Sequence, residues 1–300
     1  MNPQRYENLK LSVVGTCQVS GLALSLAALL PGVQLSFFQV DFHPIASRSE
    51  LADRLRGADL VVTQVKPEKE DDPLFLDRLR AFVDVEYQPV FVFSGLTPDS
   101  DYMFLGPQID GQHVTGSIHS SLLATAFVMG LPPERARKLF NAYVFQRLGY
   151  FARYEQSKAM AIETFAKAGY EIAPAFRTWE AGEPFMYTVN HPSIRVLATL
   201  ARLIANKRGL SESRDDPTGI LDALAGSLLW PVYPEIARRA GLPARETMRL
   251  SATSSGEART MSLADYAAAS YETFRKADRA AIMTPRVKWN VERLKDVVLV

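Results

Sequence analysis

Short apolar runs alternate with helical patterns along the first third of the chain. Four of these runs are rich in β-branched and aromatic residues, and they occupy residues 10–14, 34–40, 58–65 and 89–94. Helical patterns separate them, at residues 22–30, 49–55 and 73–82. Strands that alternate with helices at this spacing predict a parallel sheet whose two faces are covered by helices.

After about residue 115 the strand-like runs stop and helical patterns take over. They lie at residues 120–129, 132–140, 150–169, 193–207, 221–229, 234–240 and 262–282. The polar stretch 209–218 is the best candidate for a linker. We therefore expect an α/β catalytic core with helical insertions over residues 1–208, and a helical C-terminal extension packed on it over residues 209–300.

The most apolar stretch, residues 19–30, has the sequence VSGLALSLAALL. A transmembrane helix needs about 20 apolar residues, so this stretch is too short to span a bilayer. It also begins too late for a signal peptide and has no basic leader of its own. We predict a buried helix here and no transmembrane segment.

Composition narrows the class of protein. The 300 residues include 34 Lys and Arg against 33 Asp and Glu, and 47% of the chain is hydrophobic. These values are typical of globular proteins, and the formal net charge of +1 argues against nucleic-acid binding through bulk charge. A single cysteine, Cys17, excludes an intramolecular disulfide and favours a reducing compartment, so we expect a cytoplasmic location.

Cys17 lies in the predicted turn between the first strand and the first helix. Open α/β sheets bind ligands at the carboxyl ends of their strands, and a helix N-terminus stabilises a thiolate. Cys17 is therefore a candidate nucleophile, and the neighbouring Gln18 carboxamide a candidate oxyanion donor. The alternative is a buried thiol that behaves as a small hydrophobic side chain.

The chain has four histidines, of which His43 and His113 lie in predicted loops. His119 and His191 each lie directly before a helical pattern. A histidine in that position serves in capping or packing more often than in acid–base chemistry, so both interpretations stay open for each of them.

Polar residues also close two predicted strands, Thr63-Gln64 after the third and Ser94-Gly95 after the fourth. Such residues face the ligand crevice of a parallel sheet, or they simply begin a turn. The chain has no dinucleotide fingerprint, no phosphate-loop lysine motif and no zinc-ligand spacing, so we expect no metal.

Together these motifs resemble the WcbI-like polysaccharide biosynthesis enzymes, a family of acetyltransferase candidates that bind coenzyme A. The resemblance rests on Gly15, Cys17-Gln18, Thr63-Gln64, His119-Ser120, Gly130-Leu131, Leu139-Phe140-Asn141, Leu148-Gly149-Tyr150 and Asn190-His191-Pro192. Two positions depart from the family pattern. Thr16 stands where asparagine is more common, and Ile118 stands where an aromatic residue is more common.

The resemblance implies a small parallel sheet of about four to five strands with an SGNH-like or Rossmann-like core and a large helical C-terminal part. It also implies acetyl transfer from acetyl-coenzyme A to a sugar hydroxyl in capsule or polysaccharide biosynthesis. In that reaction Cys17 receives or positions the acetyl group, and His119 or His191 is the base. The expected roles of the other residues are oxyanion stabilisation or positioning by Gln18 and Asn190, and binding by Gly15, Thr16, Thr63, Gln64, Lys66 and Ser120.

Two other functions remain open from the sequence. The same site in an esterase or thioesterase would use water as the acceptor. In a non-catalytic coenzyme A-binding or scaffold protein, the cysteine would be packed in the interior and would have no part in a reaction. For the enzyme we expect a small-molecule acyl donor, a glycan or nucleotide-sugar acceptor and no nucleic-acid partner, and an oligomer is compatible with the apolar C-terminal helices.

Overall fold

The computed structural model describes residues 6–40, 45–210, 219–251 and 259–298. The chain forms two compact units, each assembled from separate stretches. The sheet unit consists of Met1–Val92, Met160–Trp179 and Asn190–Leu224. The helical unit consists of Phe93–Ala159, Glu180–Val189 and Ala225–Val300. The predicted boundary between residues 208 and 209 stays a prediction. His43 and residues 211–218 of the predicted linker lie outside the described residues.

The strands and helices have the following bounds. The strands are β1 (Lys10–Gly15), β2 (Gln34–Gln39), β3 (Leu60–Thr63), β4 (Asp84–Tyr87), β5 (Ser100–Tyr102), β6 (Ile118–Ser120), β7 (Met186–Thr188), β8 (His191–Pro192), β9 (Met248–Arg249) and β10 (Thr260–Met261). The helices are α1 (Val19–Leu29), α2 (Ile45–Leu55), α3 (Leu76–Arg80), α4 (Pro107–Asp110), α5 (Ser121–Val128), α6 (Pro133–Arg137), α7 (Ala142–Arg147), α8 (Arg153–Lys167), α9 (Phe176–Trp179), α10 (Ile194–Lys207), α11 (Pro234–Ala240), α12 (Leu263–Lys276), α13 (Arg279–Ile282) and α14 (Pro285–Val298).

The sheet unit is built on a parallel sheet with strand order β2-β1-β3-β4. The central strand β1 buries Leu11, Val13 and Val14 completely or nearly so, as expected for a strand covered on both faces. The α/β fold class with a small parallel sheet and many helices is thus confirmed.

Helix α1 covers the apolar stretch whose burial the sequence predicts, and this prediction is confirmed. Leu22, Leu26 and Leu29 are inaccessible to solvent. The helix packs on α10, where a side chain at Gly21 would meet Leu197 Cδ1 at 2.5 Å. Glycine at this position therefore allows the two helix backbones to approach closely.

The strand predicted at residues 89–94 is wrong, because the fourth strand is β4 and ends at Tyr87. The run is apolar because it is buried, and Phe91 and Phe93 are both inaccessible. No neighbouring strand pairs with the backbone of residues 89–94. The Gln18 side chain binds the N–H and carbonyl groups of Phe91, and Phe93 N–H donates to the Val189 carbonyl at 2.8 Å.

The helical unit is organised around α5, whose Ser121, Leu122, Leu123, Ala124, Thr125 and Ala126 are buried. Helices α6, α12 and α14 pack against α5. The sequence does not predict α14, which begins at Pro285, a favourable first helical residue. The helix predicted at 221–229 is wrong, since this stretch contains only one 3₁₀ turn, Ala223–Gly226. The helix predicted at 262–282 divides into α12 and α13 at Ala277, where the backbone is extended.

None of the helices in the four described ranges combines the length and the apolar composition that a bilayer crossing requires.

Candidate functional site

Cys17 lies in the turn between β1 and α1, at the carboxyl edge of the sheet, as the sequence predicts. Its side chain is half-buried. Asn190 Nδ2 donates to the Cys17 sulfur at 3.6 Å, and the Asn190 carbonyl oxygen and Thr16 Oγ1 each lie 4.0 Å from that sulfur. An N–H donor at this position stabilises negative charge on the sulfur. The structure thus brings together Cys17 and Asn190, which are far apart in the sequence.

Gln18 is fully buried and holds the surrounding loops in place. Its Nε2 donates to the carbonyl oxygens of Phe91 at 2.7 Å and Asn190 at 2.8 Å, while its Oε1 accepts the Phe91 N–H at 3.1 Å. Both amide hydrogens are therefore bound to backbone oxygens, and none is left for an oxyanion. Of the two roles predicted for Gln18, the geometry favours positioning of Asn190 beside the thiol.

Gln64 connects this arrangement to the end of β3. Its Nε2 donates to Gln88 Oε1 at 3.0 Å and approaches Gln18 Oε1 at 3.4 Å. Its Oε1 is buried and has no hydrogen-bond partner among the described residues. A Cβ on Gly15 would overlap this oxygen, so glycine at position 15 leaves room for the Gln64 side chain in this position.

Thr63 closes β3 and is buried. Its Oγ1 accepts the Val65 N–H at 3.0 Å, which stabilises the turn that follows the strand. This contact supports the turn, and the predicted binding role of Thr63 stays a prediction.

Lys66 lies on the rim of a cleft of about 410 Å³ beyond the ends of β3 and β4. Its Nζ is 5.6 Å from the ring centroid of Tyr87, whose pKa is raised by burial. The other cationic residues of the cleft are Arg80, Lys167 and Lys207, and its acidic residues are Asp77 and Glu86. Cations thus outnumber acids at this end of the sheet. A phosphate group would find charge complementarity there.

His191 belongs to the same unit as Cys17 and follows Asn190, which contacts the thiol. It lies directly before α10, as predicted, and burial lowers its pKa. The first N–H of α10, that of Ile194, is bound by Asp222 Oδ2 at 2.7 Å. Because α1 and α10 pack together through Gly21 and Leu197, both near the start of their helices, Cys17 and the Asn190-His191 pair lie at neighbouring helix starts.

His119 belongs to the helical unit, where it lies in β6. It is fully buried, with its ring centroid 4.4 Å from that of His113. Burial, and secondarily the charge of His113, lowers the pKa of His119 to about 3, and burial lowers the pKa of His113 to about 4. His119 is therefore neutral at pH 7, and its 4.0 Å approach to Asp110 is no ion pair. Such a pKa is poorly matched to proton abstraction at neutral pH.

Ser120 is the N-cap of α5, where its Oγ accepts the Leu123 N–H at 3.2 Å. The same hydroxyl donates to Asp99 Oδ2 at 2.7 Å. Asp99 is fully buried, and Trp230 Nε1 and Tyr233 OH also donate to its carboxyl group, each at 3.0 Å. Burial raises the pKa of Asp99. Ser120 therefore has a structural role, and its predicted part in binding stays a prediction.

Asp99 is the residue that sequence reasoning missed. Nothing in its local sequence distinguishes it from a turn aspartate, and two of its partners, Trp230 and Tyr233, lie more than a hundred residues further along the chain. It connects the start of α5 to the segment before α11. Within the described ranges, no group of three or more His, Cys, Asp or Glu side chains could hold a metal ion.

Comparison with known proteins places these motifs in a family. The model of the family described as "Polysaccharide biosynthesis enzyme WcbI" matches residues 10–213, which include Cys17, Gln18, Gln64 and Asn190. No curated protein matches the chain.

A solved structure of native WcbI, described as a polysaccharide biosynthesis enzyme without a disulfide bond between coenzyme A and a cysteine, shares the fold. It is 16% identical to this chain with a TM-score of 0.64, and the match covers 95% of this chain and 98% of that one. The likeness at this identity shows the fold alone. The family model, which matches more than half of the sequence, shows that this chain belongs to the WcbI family of polysaccharide biosynthesis enzymes.

Proposed function

We propose that this chain transfers an acetyl group from acetyl-coenzyme A to a sugar hydroxyl during polysaccharide biosynthesis. Its membership of a polysaccharide biosynthesis family supports the sugar acceptor. The WcbI structure, whose description pairs coenzyme A with a cysteine, supports the donor. We also propose a cytoplasmic location, because a reducing compartment keeps the single thiol reduced.

The observation that carries the proposal is the contact of Asn190 Nδ2 with the Cys17 sulfur at the carboxyl end of the central strand. The Cys17 thiolate attacks the carbonyl carbon of the acetyl thioester and forms a new carbon–sulfur bond. The bond between the acetyl group and the coenzyme A sulfur breaks, and coenzyme A leaves as the thiolate. Asn190 Nδ2, which lies beside the sulfur, and the N–H groups at the start of α1 stabilise the tetrahedral oxyanion.

The second half of the reaction regenerates the thiolate. The sugar hydroxyl attacks the acetyl group on Cys17 and loses its proton to His191, and the Cys17 sulfur departs as the thiolate. Of the two predicted histidines, His191 is supported as the base because it follows the Asn190 that contacts Cys17 and shares its unit. His119 has a pKa of about 3 and packs inside the helical unit.

The cleft beside Lys66 fits the phosphate end of coenzyme A. Its four cationic residues are Lys66, Arg80, Lys167 and Lys207. Arg80 and Lys167 also pair with Asp77 and Glu163 at the surface, where water screens both pairs and leaves the lysine and arginine groups available to a phosphate. Lys207 Nζ binds Glu86 at 2.7 Å and contributes less charge to a ligand.

Intact-mass spectrometry after exposure to acetyl-coenzyme A tests the acyl-enzyme directly. The wild type is expected to gain one acetyl group, which hydroxylamine removes, and the Cys17→Ser variant is expected to gain none. Addition of a glycan acceptor should discharge the wild-type adduct. Rapid loss of the adduct without acceptor would indicate a thioesterase, and sugar acetylation without any adduct would indicate direct transfer.

Calorimetry with coenzyme A and pantetheine tests the phosphate cleft. We expect Lys66→Ala to weaken coenzyme A binding about 5-fold and to leave pantetheine binding unchanged, because pantetheine lacks the phosphates. Lys69→Ala is the matched control, since Lys69 is an exposed lysine of the same loop that does not line the cleft. Equal effects of the two variants would place the phosphates elsewhere.

A further inference from the structure

Two arginine side chains of the helical unit are half-buried and form no ion pair with the described residues. They are Arg153, the first residue of α8, and Arg286, the second residue of α14. The Nε atom of each is inaccessible to solvent and has no hydrogen-bond partner in the described part of the chain, whereas both Nη atoms of Arg153 and Nη1 of Arg286 remain accessible. Each charge is therefore shielded from water on its inner side and open to a ligand on its outer side. We call these two residues the arginine pair.

The two side chains of the arginine pair come together around the ring of Tyr150. Arg286 Cζ lies 5.7 Å from the centroid of this ring. Arg153 follows Tyr150 by three residues through the 3₁₀ turn Tyr150–Ala152, and residues three apart lie on the same face of a helical segment. Burial, and secondarily the charge of Arg286, lowers the pKa of Arg153. The two guanidinium groups are thus close enough for their charges to interact.

The loop of residues 93–98 contacts both segments that carry the arginine pair. Arg286 Nη2 donates to the Pro98 carbonyl oxygen at 2.6 Å. A Cβ on Gly95 would come within 2.7 Å of the Tyr154 Cα, so the loop lies directly against the first turn of α8. The backbone around the pair is therefore held in place before a ligand binds, which reduces the entropy cost of binding.

Nearby acidic groups do not compensate both arginine charges. The charge of Arg286 acts on Asp101, whose Oδ2 accepts a hydrogen bond from Thr284 Oγ1 at 3.2 Å and which forms no ion pair with the described residues. No described carboxylate acts on Arg153. The arginine pair therefore keeps a net positive charge.

A phosphate group matches the arginine pair better than a carboxylate does. It carries about −1.5 to −2 charge at pH 7 and three strong acceptor oxygens, so it can accept hydrogen bonds from two guanidinium groups at once. A carboxylate carries a single negative charge and two oxygens. The planar N–H fork of arginine fits phosphate oxygens, and partial burial strengthens the attraction because it lowers the local dielectric constant.

We propose that the arginine pair binds a phosphate group. The accessible Nη atoms of Arg153 and Arg286 donate to its oxygens, and its negative charge relieves the repulsion between the two guanidinium groups. Residues of the helical unit alone form this site, so the proposal does not rest on the acetyl-transfer function. Inorganic phosphate and the phosphate monoester of a sugar offer the same group, and titration with each distinguishes the two sources.

Calorimetric titration with inorganic phosphate and with glucose 1-phosphate, at an ionic strength fixed with sodium chloride, tests the proposal. The wild type should bind at least one of the two. Arg153→Gln should weaken that binding at least about 10-fold, because it removes charge-assisted hydrogen bonds. Arg153→Lys keeps the charge without the planar fork and should weaken binding less. Arg275→Gln is the matched control and should retain binding, because Arg275 is an exposed arginine of the same unit that pairs with Glu272.

Arg153 forms no hydrogen bond with the described residues, so its variants should fold, and near-ultraviolet circular dichroism checks this. Four results would overturn the proposal. They are no binding of either phosphate probe by the wild type, an unchanged Kd in Arg153→Gln, an equal loss in Arg275→Gln, and acetate binding as tight as that of phosphate. Tighter binding of glucose 1-phosphate than of inorganic phosphate would support a phosphorylated sugar as the ligand, and equal affinities would support the phosphate group alone.

Discussion

The two polar clusters of this protein differ in what they leave accessible. In the sheet unit, a half-buried thiol is contacted by an asparagine amide at the end of the central strand. In the helical unit, the Asp99 carboxyl group is fully buried and accepts hydrogen bonds from Ser120, Trp230 and Tyr233. The first arrangement retains a reactive atom within reach of solvent. In the second, three side-chain donors are directed at one buried carboxyl group.

The two clusters are suited to different roles, one to stabilising the fold and the other to a chemical reaction. A buried carboxyl group satisfied by three donors stabilises the fold because removal of the carboxyl group leaves those donors unpaired. A thiol with an N–H donor and a nearby helix N-terminus has its negative charge stabilised while it remains accessible. The Ser120 hydroxyl therefore contributes to the architecture of the helical unit and Asn190 contacts the thiol, whereas the catalytic roles of His119 and His191 stay predictions.

The largest effect is expected for the thiol itself. Cys17→Ala should lower acetyl transfer at least about 1000-fold, since the variant lacks the thiol that attacks the thioester. The melting temperature should change little, because the side chain is half-buried and its contacts with Asn190 and Thr16 are weak. Rate measurements with acetyl-coenzyme A and circular-dichroism melting check both parts. Transfer at the wild-type rate would end the nucleophile assignment.

Asp99→Ala should act on stability. Loss of the carboxyl group leaves Trp230 Nε1 and Tyr233 OH unpaired in the interior, which costs about 3 kcal/mol. Urea unfolding measures this change. Asp77→Ala is the control, because Asp77 forms an exposed pair with Arg80 and should cost less than about 0.5 kcal/mol. If both variants unfold at the same urea concentration, Asp99 has no architectural role.

Substitution of the two candidate histidines should affect kcat to different extents. His191→Gln is expected to lower kcat about 100-fold, the usual contribution of a general base, and to leave coenzyme A binding unchanged. His119→Phe should preserve kcat within about threefold, because the phenyl ring occupies a site where the imidazole nitrogens have no hydrogen-bond partner among the described residues. Steady-state kinetics of both variants decides the point, and the reverse pattern would transfer the base assignment to His119.

Acid should destabilise the helical unit through His119 and His113. Their folded pKa values, about 3 and about 4, lie below the ordinary value of 6.5, so the unfolded chain binds more protons between those values. The contribution of these two histidines to the free energy of unfolding is therefore fully present above pH 6.5 and decreases as the pH falls toward 4. His119→Phe removes one such group. Between pH 6.5 and 4.5 its free energy of unfolding should therefore decrease by about 2 kcal/mol less than that of the wild type. Urea unfolding at both pH values tests this, and an unchanged pH dependence in the variant would contradict it.

Local sequence was a good guide where the structure is local. The four-residue segment Gly15, Thr16, Cys17 and Gln18 ends the first strand and leads into a helix, as its pattern predicts. The apolar run at 89–94 was misleading because hydrophobicity reports burial, whereas a strand also requires a neighbouring backbone to pair with. At Phe91 the backbone groups bind the side chain of Gln18 and not a neighbouring strand, and the hydrophobic pattern of the sequence cannot indicate this.

The sequence by itself determined the α/β class, the position of Cys17 at a strand end and the membership of the WcbI family, because these depend on patterns of neighbouring residues. Only the tertiary structure decided which distant residues share a site. It placed Asn190 against Cys17, used both amide hydrogens of Gln18 inside the fold and buried His119 in the helical unit. The physical reason is that hydrogen bonding and desolvation depend on contacts across many residues of chain, which a linear pattern does not contain.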